Sequence, residues 1–421
     1  MHIRTIIRGI LLLYVSIQLV ATASPLRNLK ELYNNKQYFE LRDALKDRHI
    51  DEHADLLFYR GAVGNKFNQL QLSITYFKEY LKREKEDKDS ELLVECYEML
   101  ADDYLKTYQY QKAAEAYNVL LTKFAHTIDA ERKSDFENSV KLCGALSKVP
   151  RQTVVFYGSS IIKKDQRGYI PLEINNQKVS LTFDTGANLS VITNSFAEKL
   201  ALTVINVPID VVAVAGNKVK ARLGVARAIR IGNAIIRNVV FLVFDDKDLY
   251  ISEADFQING LVGFPVIEAL REVTFVRDGE IYIPNAPATG GEQNMCLDGL
   301  SPLIAGWFKD KRLVFALDTG ASRSTLYPPF YQEYEDMIKA EYEEHNERVR
   351  GVGGYKEIKG YLAKNITMRF SGRVARFAQI PILTERTTDI SRRFYGNLGQ
   401  DLIKQFEKMT LNFKTMSIVF E

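Results

Sequence analysis

Few residues of this 421-residue sequence belong to the types that bind metals or form disulfides. It has three cysteines and five histidines, and none of them stand at the spacings of zinc ligands. The net charge is only +3, so the sequence offers no broad basic field for nucleic acid. We therefore expect no cofactor, no metal and no nucleic-acid partner. Cys96 and Cys143 both fall in a helical region, and the sequence leaves open whether they form a disulfide.

Long apolar runs are absent beyond the N-terminus. Residues 1–23 have a basic start with Arg4 and Arg8, an apolar run from Ile10 to Val20 and the small residues Ala21-Thr22-Ala23, which is the pattern of a secretory signal peptide. An uncleaved anchor is the alternative, but the run is shorter than the about 20 apolar residues that span a bilayer. We expect an exported protein, periplasmic or secreted, with no stable membrane insertion after signal cleavage.

Proline and glycine are scarce in the next part of the chain, residues 24–149, where leucine, tyrosine, lysine and glutamate recur every three or four residues. This periodicity predicts amphipathic helices. Some of the positions have the spacing of a tetratricopeptide helix pair: Tyr97, Leu100, Ala101, Tyr104, Ala113, Tyr117 and Leu120. Gly61, Ser73, Phe77 and Tyr80 repeat part of that spacing one unit earlier. A plain helical bundle is the alternative; tetratricopeptide-like repeats would bind a peptide or a partner protein.

The composition changes at Pro150 to short alternating runs of valine, isoleucine and phenylalanine between glycine-containing turns. This pattern predicts an all-β region. A linker-like stretch at Ala286–Gly291 divides it into two halves, residues 150–288 and 289–421. We predict an acidic helix at Tyr331–Arg348 and a helix from Asp401 to about Lys408.

One ten-residue stretch occurs once in each half, as Leu181–Ser190 and Phe315–Ser324. In both copies an apolar strand leads into Asp-Thr-Gly-Ala, and the glycine allows a sharp turn that presents the carboxylate of Asp184 or Asp318. Later landmarks follow at nearly equal distances in the two halves, namely Gly216 and Gly351, then Gly263 and Gly399. Because these spacings are nearly the same over the whole length of the two halves, they indicate a duplicated domain.

These motifs resemble the catalytic loops of retropepsin-like aspartic peptidases, and each half resembles one complete retropepsin subunit. The resemblance implies a retropepsin fold duplicated as an internal pseudo-dimer, with each half closing in a strand (Glu280–Ile283 and Ile418–Phe420) that could pair at a common base. It also implies an endopeptidase in which Asp184 and Asp318 activate a water molecule between them. Two such close carboxylates share one proton, and the sequence does not assign which of them holds it.

The resemblance also implies roles for the neighbours of the two aspartates. We call Asp184 and Asp318 the dyad. The residues that support the dyad would be Thr185, Gly186, Ala187, Thr319, Gly320 and Ala321. Flap residues that cover the substrate would be Ala215, Gly216, Asn217, Gly351, Val352, Gly353, Gly354 and Tyr355. Pepsin-like enzymes have a hydroxyl where this chain has Ala187 and Ala321, so we expect an activity optimum that is less acidic than that of pepsin. We call the segments around Gly263 and Gly399 the glycine loops. Pro265 beside the first and Asn397 beside the second depart from the family pattern.

Three functional readings follow. The first is an exported aspartic endopeptidase whose helical repeats recruit a peptide or protein substrate or a partner protein. The second is a catalytically silent scaffold in which the helical repeats bind the partner, with the two Asp-Thr-Gly loops as structural turns. The third is a peptidase that stays inactive until the helical domain moves. Two intact Asp-Thr-Gly loops favour a catalytic reading over the scaffold.

Overall fold

The computed structural model describes residues 25–46, 53–84, 91–212, 218–252, 255–351, 354–385 and 393–421. The predicted signal peptide lies outside these residues, and so do Ala215, Gly216, Asn217, Val352 and Gly353 of the predicted flaps. None of the helices in the described part is long and apolar enough to cross a membrane.

The predicted helical region is confirmed. Its described residues form α1 Pro25–Asn34, α2 Tyr38–Leu45, α3 Ala54–Lys66, α4 Leu70–Arg83, α5 Glu91–Lys106, α6 Tyr110–Lys123 and α7 Ala130–Leu146. Small residues let neighbouring helices approach closely. A Cβ added at Gly61 would lie 2.5 Å from the ring of Phe77, and the hydroxyl of Ser73 donates to the Gly61 carbonyl at 2.8 Å. Ala101 and Ala113 are fully buried between α5 and α6.

The same turn joins three pairs of these helices. Lys36, Asn68 and Tyr108 adopt positive φ angles of 57°, 57° and 60°. The glutamine after each of them donates its backbone N–H to a carbonyl at the end of the preceding helix and then starts α2, α4 or α6. A left-handed residue with such a bond is typical of Schellman-type helix ends, so three helix–turn–helix units share one local geometry.

The chain after α7 is rich in β-strands, as predicted. The strands up to residue 283 are β1 Thr153–Phe156, β2 Ser160–Lys163, β3 Ile170–Ile174, β4 Gln177–Phe183, β5 Ser190–Thr193, β6 Thr203–Val212, β7 Lys218–Ile231, β8 Ala234–Phe244, β9 Tyr250–Ile251, β10 Phe256–Gln257, β11 Gly260–Val262, β12 Glu272–Val276 and β13 Glu280–Ile283. The helices are α8 Asn194–Lys199, α9 Phe264–Ala269 and a 3₁₀ turn at Asp246–Leu249. One eight-stranded, strongly curved sheet has the order β1-β8-β5-β11-β4-β3-β7-β6.

The rest of the chain builds a second eight-stranded sheet. Its strands are β14 Met295–Asp298, β15 Ser301–Phe308, β16 Lys311–Leu317, β17 Thr325–Leu326, β18 Glu343–Gly351, β19 Gly354–Phe370, β20 Arg373–Leu383 and β21 Gly396–Leu398, followed by β22 Lys408–Asn412 and β23 Ser417–Phe420 outside that sheet. The helices are α10 Pro328–Glu333, α11 Glu335–Glu341 and α12 Gln400–Ile403. The sheet order is β14-β15-β16-β21-β17-β20-β19-β18.

Strands from both halves of the chain form a third sheet, which we call the base sheet. Its order is β2-β13-β12-β22-β23. The strands Glu280–Ile283 and Ile418–Phe420, which we expected at a common base, share this sheet without pairing with each other. The antiparallel pair β12–β22 lies between them, with Glu272 opposite Asn412 and Val276 opposite Lys408.

The predicted acidic helix at Tyr331–Arg348 is wrong in its second part. Helices α10 and α11 end at Glu341, and the chain from Glu343 onward is the strand β18. This strand pairs with β19 along its whole length, so cross-strand hydrogen bonds override a charge pattern that is compatible with a solvated helix. The helix predicted from Asp401 to about Lys408 is also shorter than expected, because α12 ends at Ile403.

The cysteines form no cross-links. Cys96, Cys143 and Cys296 are free and buried, so Cys96 and Cys143 are not bridged. The contact between helices and sheets depends on packing and polar contacts instead.

The helical region is attached to the second sheet by a buried ion pair. Lys66, the last residue of α3, lies 2.6 Å from Asp298 of β14, and the two side chains are only 9% and 5% exposed. Arg393 approaches the other oxygen of Asp298 at 2.8 Å. Although burial acts in the opposite direction, Lys66 and Arg393 hold the pKa of Asp298 well below its usual range. Arg312 of β16 adds a partly exposed contact with Glu40 of α2 at 2.7 Å.

Removing the cation of this pair is expected to destabilise the protein. Lys66→Met leaves the buried carboxylate of Asp298 with less compensation, and breaking a buried pair from one side typically costs about 3–5 kcal/mol. Urea unfolding followed by circular dichroism measures the loss. The matched control is Lys82→Met on α4, because Lys82 forms an exposed pair with Glu79 that is worth about 0–1 kcal/mol. Equal stability of the two variants would contradict the importance of the buried pair.

A second contact joins the last helix to the hairpin β6–β7. The side chain of Asn138 on α7 exchanges two hydrogen bonds with the backbone of Asp210 on β6, both at 2.9 Å. Tyr110, Leu146, Ile209, Leu223 and Val240 form an apolar cluster behind it. The helical region therefore packs against the long hairpin β6–β7.

Candidate active site

Both Asp-Thr-Gly loops begin directly at the end of a strand. β4 ends before Asp184 and β16 ends before Asp318. The backbone N–H of Asp184 donates to the Val262 carbonyl and that of Asp318 to the Leu398 carbonyl, both at 2.9 Å. These acceptors belong to β11 and β21, which lie parallel to β4 and β16. The two aspartates therefore start from equivalent positions in the two sheets.

The structure brings Asp184 and Asp318 together. A Cβ added at Gly186 would lie 2.6 Å from the carboxyl carbon of Asp318, and one added at Gly320 would lie 2.5 Å from that of Asp184. Each glycine thus makes room for the carboxyl group of the opposite loop, which a side chain would displace. Both glycines are exposed and both aspartates are half-buried, so the pair is open to solvent.

The two loops are cross-linked by their threonines. The backbone N–H of Thr185 donates to the hydroxyl of Thr319 at 3.1 Å, and that of Thr319 donates to the hydroxyl of Thr185 at 3.0 Å. The Thr185 hydroxyl donates in turn to the Leu317 carbonyl at 2.7 Å, and the Thr319 hydroxyl to the Phe183 carbonyl at 3.0 Å. Both threonines are buried. Four reciprocal hydrogen bonds therefore fix one loop against the other.

The carboxyl groups receive backbone hydrogen bonds within their own loops. Oδ1 of Asp184 accepts from Gly186 at 2.9 Å. Oδ1 of Asp318 accepts from Gly320 at 2.9 Å and from Ala321 at 3.0 Å. Burial, the charge of Asp318 and a hydrogen bond with its carboxyl group raise the pKa of Asp184 to about 7. The pair therefore retains one proton near neutral pH.

Two serines near the ends of the loops were not predicted as site residues. The hydroxyl of Ser190 accepts from the backbone N–H of Gly263 at 3.0 Å, and that of Ser324 accepts from Gly399 at 3.0 Å. Both serines are fully buried. They attach each Asp-Thr-Gly loop to the glycine loop of the same half. Their recurrence at the last position of both ten-residue stretches is the sequence signal for them.

Asn397 is a further residue of the site, and the sequence marks it only as a departure from the family pattern. Its side-chain N–H donates to Oδ2 of Asp318 at 3.0 Å. The equivalent position in the first half is Leu261 of β11. Leu261 pairs with Thr182, two residues before Asp184, just as Asn397 pairs with Ala316, two residues before Asp318. The two halves therefore differ in the residue beside the aspartate.

The described flap residues all lie on the long hairpin β18–β19 of the second half. In the second half Gly351 pairs with Gly354, and Tyr355 follows on β19 with its side chain 45% exposed. The guanidinium of Arg348 lies 4.3 Å from the centre of the Tyr355 ring. In the first half Val212 pairs with Lys218, so β6 and β7 flank the segment that contains Ala215, Gly216 and Asn217. The covering role of these residues stays a prediction.

This arrangement can perform acid–base chemistry on a bound water. One carboxylate accepts a proton while the neighbouring carboxyl group donates one. In the described part of the chain, no group of three or more histidines, cysteines, aspartates or glutamates is arranged to hold a metal ion.

Part of the first half matches a known protein family. Residues 170–266, from β3 to α9 and including the first Asp-Thr-Gly loop, match the family described as aspartyl protease. No curated protein matches the chain. Among solved structures, a retropepsin-like aspartic protease from Rickettsia conorii is 20% identical and covers 32% of this chain and 94% of its own, with a TM-score of 0.21. The EIAV protease complexed with the inhibitor HBY-793 is 21% identical and covers 25% and 86%, with a TM-score of 0.18. The family match confirms that residues 170–266 of this chain resemble aspartyl proteases.

Proposed function

We propose that this protein is an aspartic endopeptidase that hydrolyses peptide bonds with a water molecule activated between Asp184 and Asp318. The observation that carries the proposal is the contact between these two carboxyl groups, each contributed by a separate Asp-Thr-Gly loop. The pair shares one proton, so one of its carboxyl groups supplies the acid and the other supplies the base. The threonine cross-links hold both groups in position for the reaction.

The proposal includes two retropepsin-type halves that form one site within a single chain. Corresponding contacts in the two halves support it. The hairpin β3–β4 corresponds to β15–β16, the long hairpin β6–β7 to β18–β19, and the base strands β12–β13 to β22–β23. The serine bond to the glycine loop occurs in both halves with the same distance.

We also propose that the N-terminal helices are tetratricopeptide-like repeats that recruit a peptide substrate or a partner protein. The three identical helix turns support a repeat. The exposed glycines beside both aspartates favour an accessible site over one blocked by the helices. The signal-like residues 1–23 support export, to a periplasm or to the outside.

The proposal is tested by incubating the purified chain with casein, an unstructured protein substrate. We expect cleavage that continues in EDTA and that stops with a peptide in which a hydroxyl-bearing tetrahedral carbon replaces the scissile carbonyl, because such a group mimics the transition state. Complete absence of cleavage, across acidic and neutral pH, would favour the silent scaffold. Loss of activity in EDTA would contradict a metal-free mechanism.

The activity is expected to decline on the alkaline side of about pH 7. The folded protein raises the pKa of Asp184 to about 7, above the unfolded value of about 3.9. The protonated carboxyl is therefore stabilised at low pH, and this stabilisation is lost as the pH rises through about 7. Above that pH both carboxylates are ionised and the general acid is missing. A profile of kcat/KM for an uncharged peptide measures the decline, and a plateau that extends to about pH 9 would contradict it.

A further inference from the structure

The two carboxyl groups of the dyad have unequal surroundings. Asp318 accepts three hydrogen bonds, from the backbone of Gly320 and Ala321 and from the side chain of Asn397. Asp184 accepts from the equivalent backbone groups of Gly186 and Ala187. The donors therefore match, except that Asn397 has no polar counterpart at Leu261.

The extra donor favours one ionisation state. A carboxamide N–H bonds more strongly to a carboxylate than to a neutral carboxyl group, and a bond to the charged form lowers the cost of ionisation. The contact is made at Oδ2 of Asp318, the oxygen that receives no backbone bond. Leu261, by contrast, packs in the apolar cluster with Val191 and Phe244 and offers no donor.

We propose that Asn397 is a positioning residue that keeps the single negative charge of the dyad on Asp318, so that Asp318 is the general base and Asp184 the general acid. This inference rests on the proposed peptidase function. Asp318 accepts a proton from water as the water oxygen bonds to the carbonyl carbon, and Asp184 gives its proton to the carbonyl oxygen. When the C–N bond breaks, Asp318 gives its proton to the leaving nitrogen and Asp184 recovers the proton of the hydroxyl group.

Other ionisable groups around Asp318 do not account for this asymmetry. Tyr327, which directly precedes α10, is neutral, because burial together with the charge of Asp318 raises the pKa of its phenol. Arg323, later in the same loop, contacts Glu347 of β18. Asp401 of α12 accepts from the backbone and hydroxyl of Ser324.

The inference is tested by exchanging the residues of the two halves. Asn397→Leu removes the donor from Asp318, and the double variant Asn397→Leu/Leu261→Asn moves it to the Asp184 side. For an uncharged peptide, we expect the acid limb of the kcat/KM profile to rise by about one pH unit in Asn397→Leu and to return toward the wild-type position in the double variant. A change of KM alone, with an unmoved acid limb, would reduce Asn397 to a substrate contact and overturn the inference.

A second measurement does not depend on activity. The protein is labelled with ¹³C at its aspartate carboxyl carbons and observed by NMR. The signal of Asp318 is the one that is missing from the spectrum of the Asp318→Asn variant. We expect Asp318 to stay ionised to lower pH than Asp184, and its titration to move up by about one unit in Asn397→Leu. An unchanged titration of Asp318 overturns the inference even if the chain cleaves casein. The expected shift in an inactive chain would support the effect of Asn397 on the charge of Asp318 but would overturn the proposed function and, with it, the acid and base roles.

Discussion

Asp184→Asn and Asp318→Asn are each expected to reduce peptide hydrolysis by at least about 10²–10⁴-fold, the range that general acid–base catalysis contributes. An amide neither accepts the proton of the attacking water nor donates one to the substrate. Because the two carboxyl groups act as a pair, one substitution disables both functions. The loss is measured as kcat/KM for casein-derived peptides at the optimal pH of the wild type.

The fold should survive these substitutions. Asparagine has nearly the shape of aspartate, and it removes the repulsion between two close acidic groups, so thermal unfolding should occur at the same temperature or higher. Asp310→Asn is the matched control, because Asp310 lies in the exposed turn between β15 and β16. Substantial turnover by either dyad variant would remove that carboxylate from the mechanism.

Thr185→Val is expected to impair both stability and activity, although it preserves the volume of the side chain. It leaves the backbone N–H of Thr319 without its acceptor and the Leu317 carbonyl without its donor, both in the buried contact between the loops. Each buried polar group left without a partner costs about 1–3 kcal/mol. The resulting shift of the loops separates the two carboxyl groups, and a displacement of about 1 Å is sufficient for a loss of about 10²-fold.

Two variants control for this effect. Thr185→Ser keeps the hydroxyl and should retain most of the stability and activity. Thr122→Val removes an exposed hydroxyl from α6 that donates to the Asn118 carbonyl, and it should be nearly neutral. If Thr185→Val has the same stability and the same activity as Thr185→Ser, the threonine cross-link does not hold the loops in place.

The sequence predicts the features of this protein that depend on local patterns. The loops at Asp184 and Asp318 are visible because the turn requires its own glycine and the preceding strand is apolar. The helical region is visible because its periodicity is maintained over the whole region. Strand β18 is not, because its polar residues acquire their strand conformation only by pairing with β19.

The sequence does not predict contacts between distant segments. Lys66 and Asp298 are ordinary charged residues in the sequence, and only the packing of α3 on β14 makes them a buried pair. Asn397 can be recognised as unusual, but its role requires the knowledge that its side chain contacts Asp318. The order of strands in the base sheet likewise depends on pairing between strands of the two halves, which are distant in the sequence.

We propose that one chain builds one site from one aspartate of each half, and a complementation measurement tests this arrangement most directly. Inactive Asp184→Asn and Asp318→Asn chains are unfolded together, refolded as an equal mixture and assayed beside wild-type protein treated in the same way. A site formed within each chain predicts that the mixture stays as inactive as its parents. If chains exchange halves, half of the dimers contain one intact site of two, and the mixture would recover about a quarter of wild-type activity. That recovery would contradict the single-chain site.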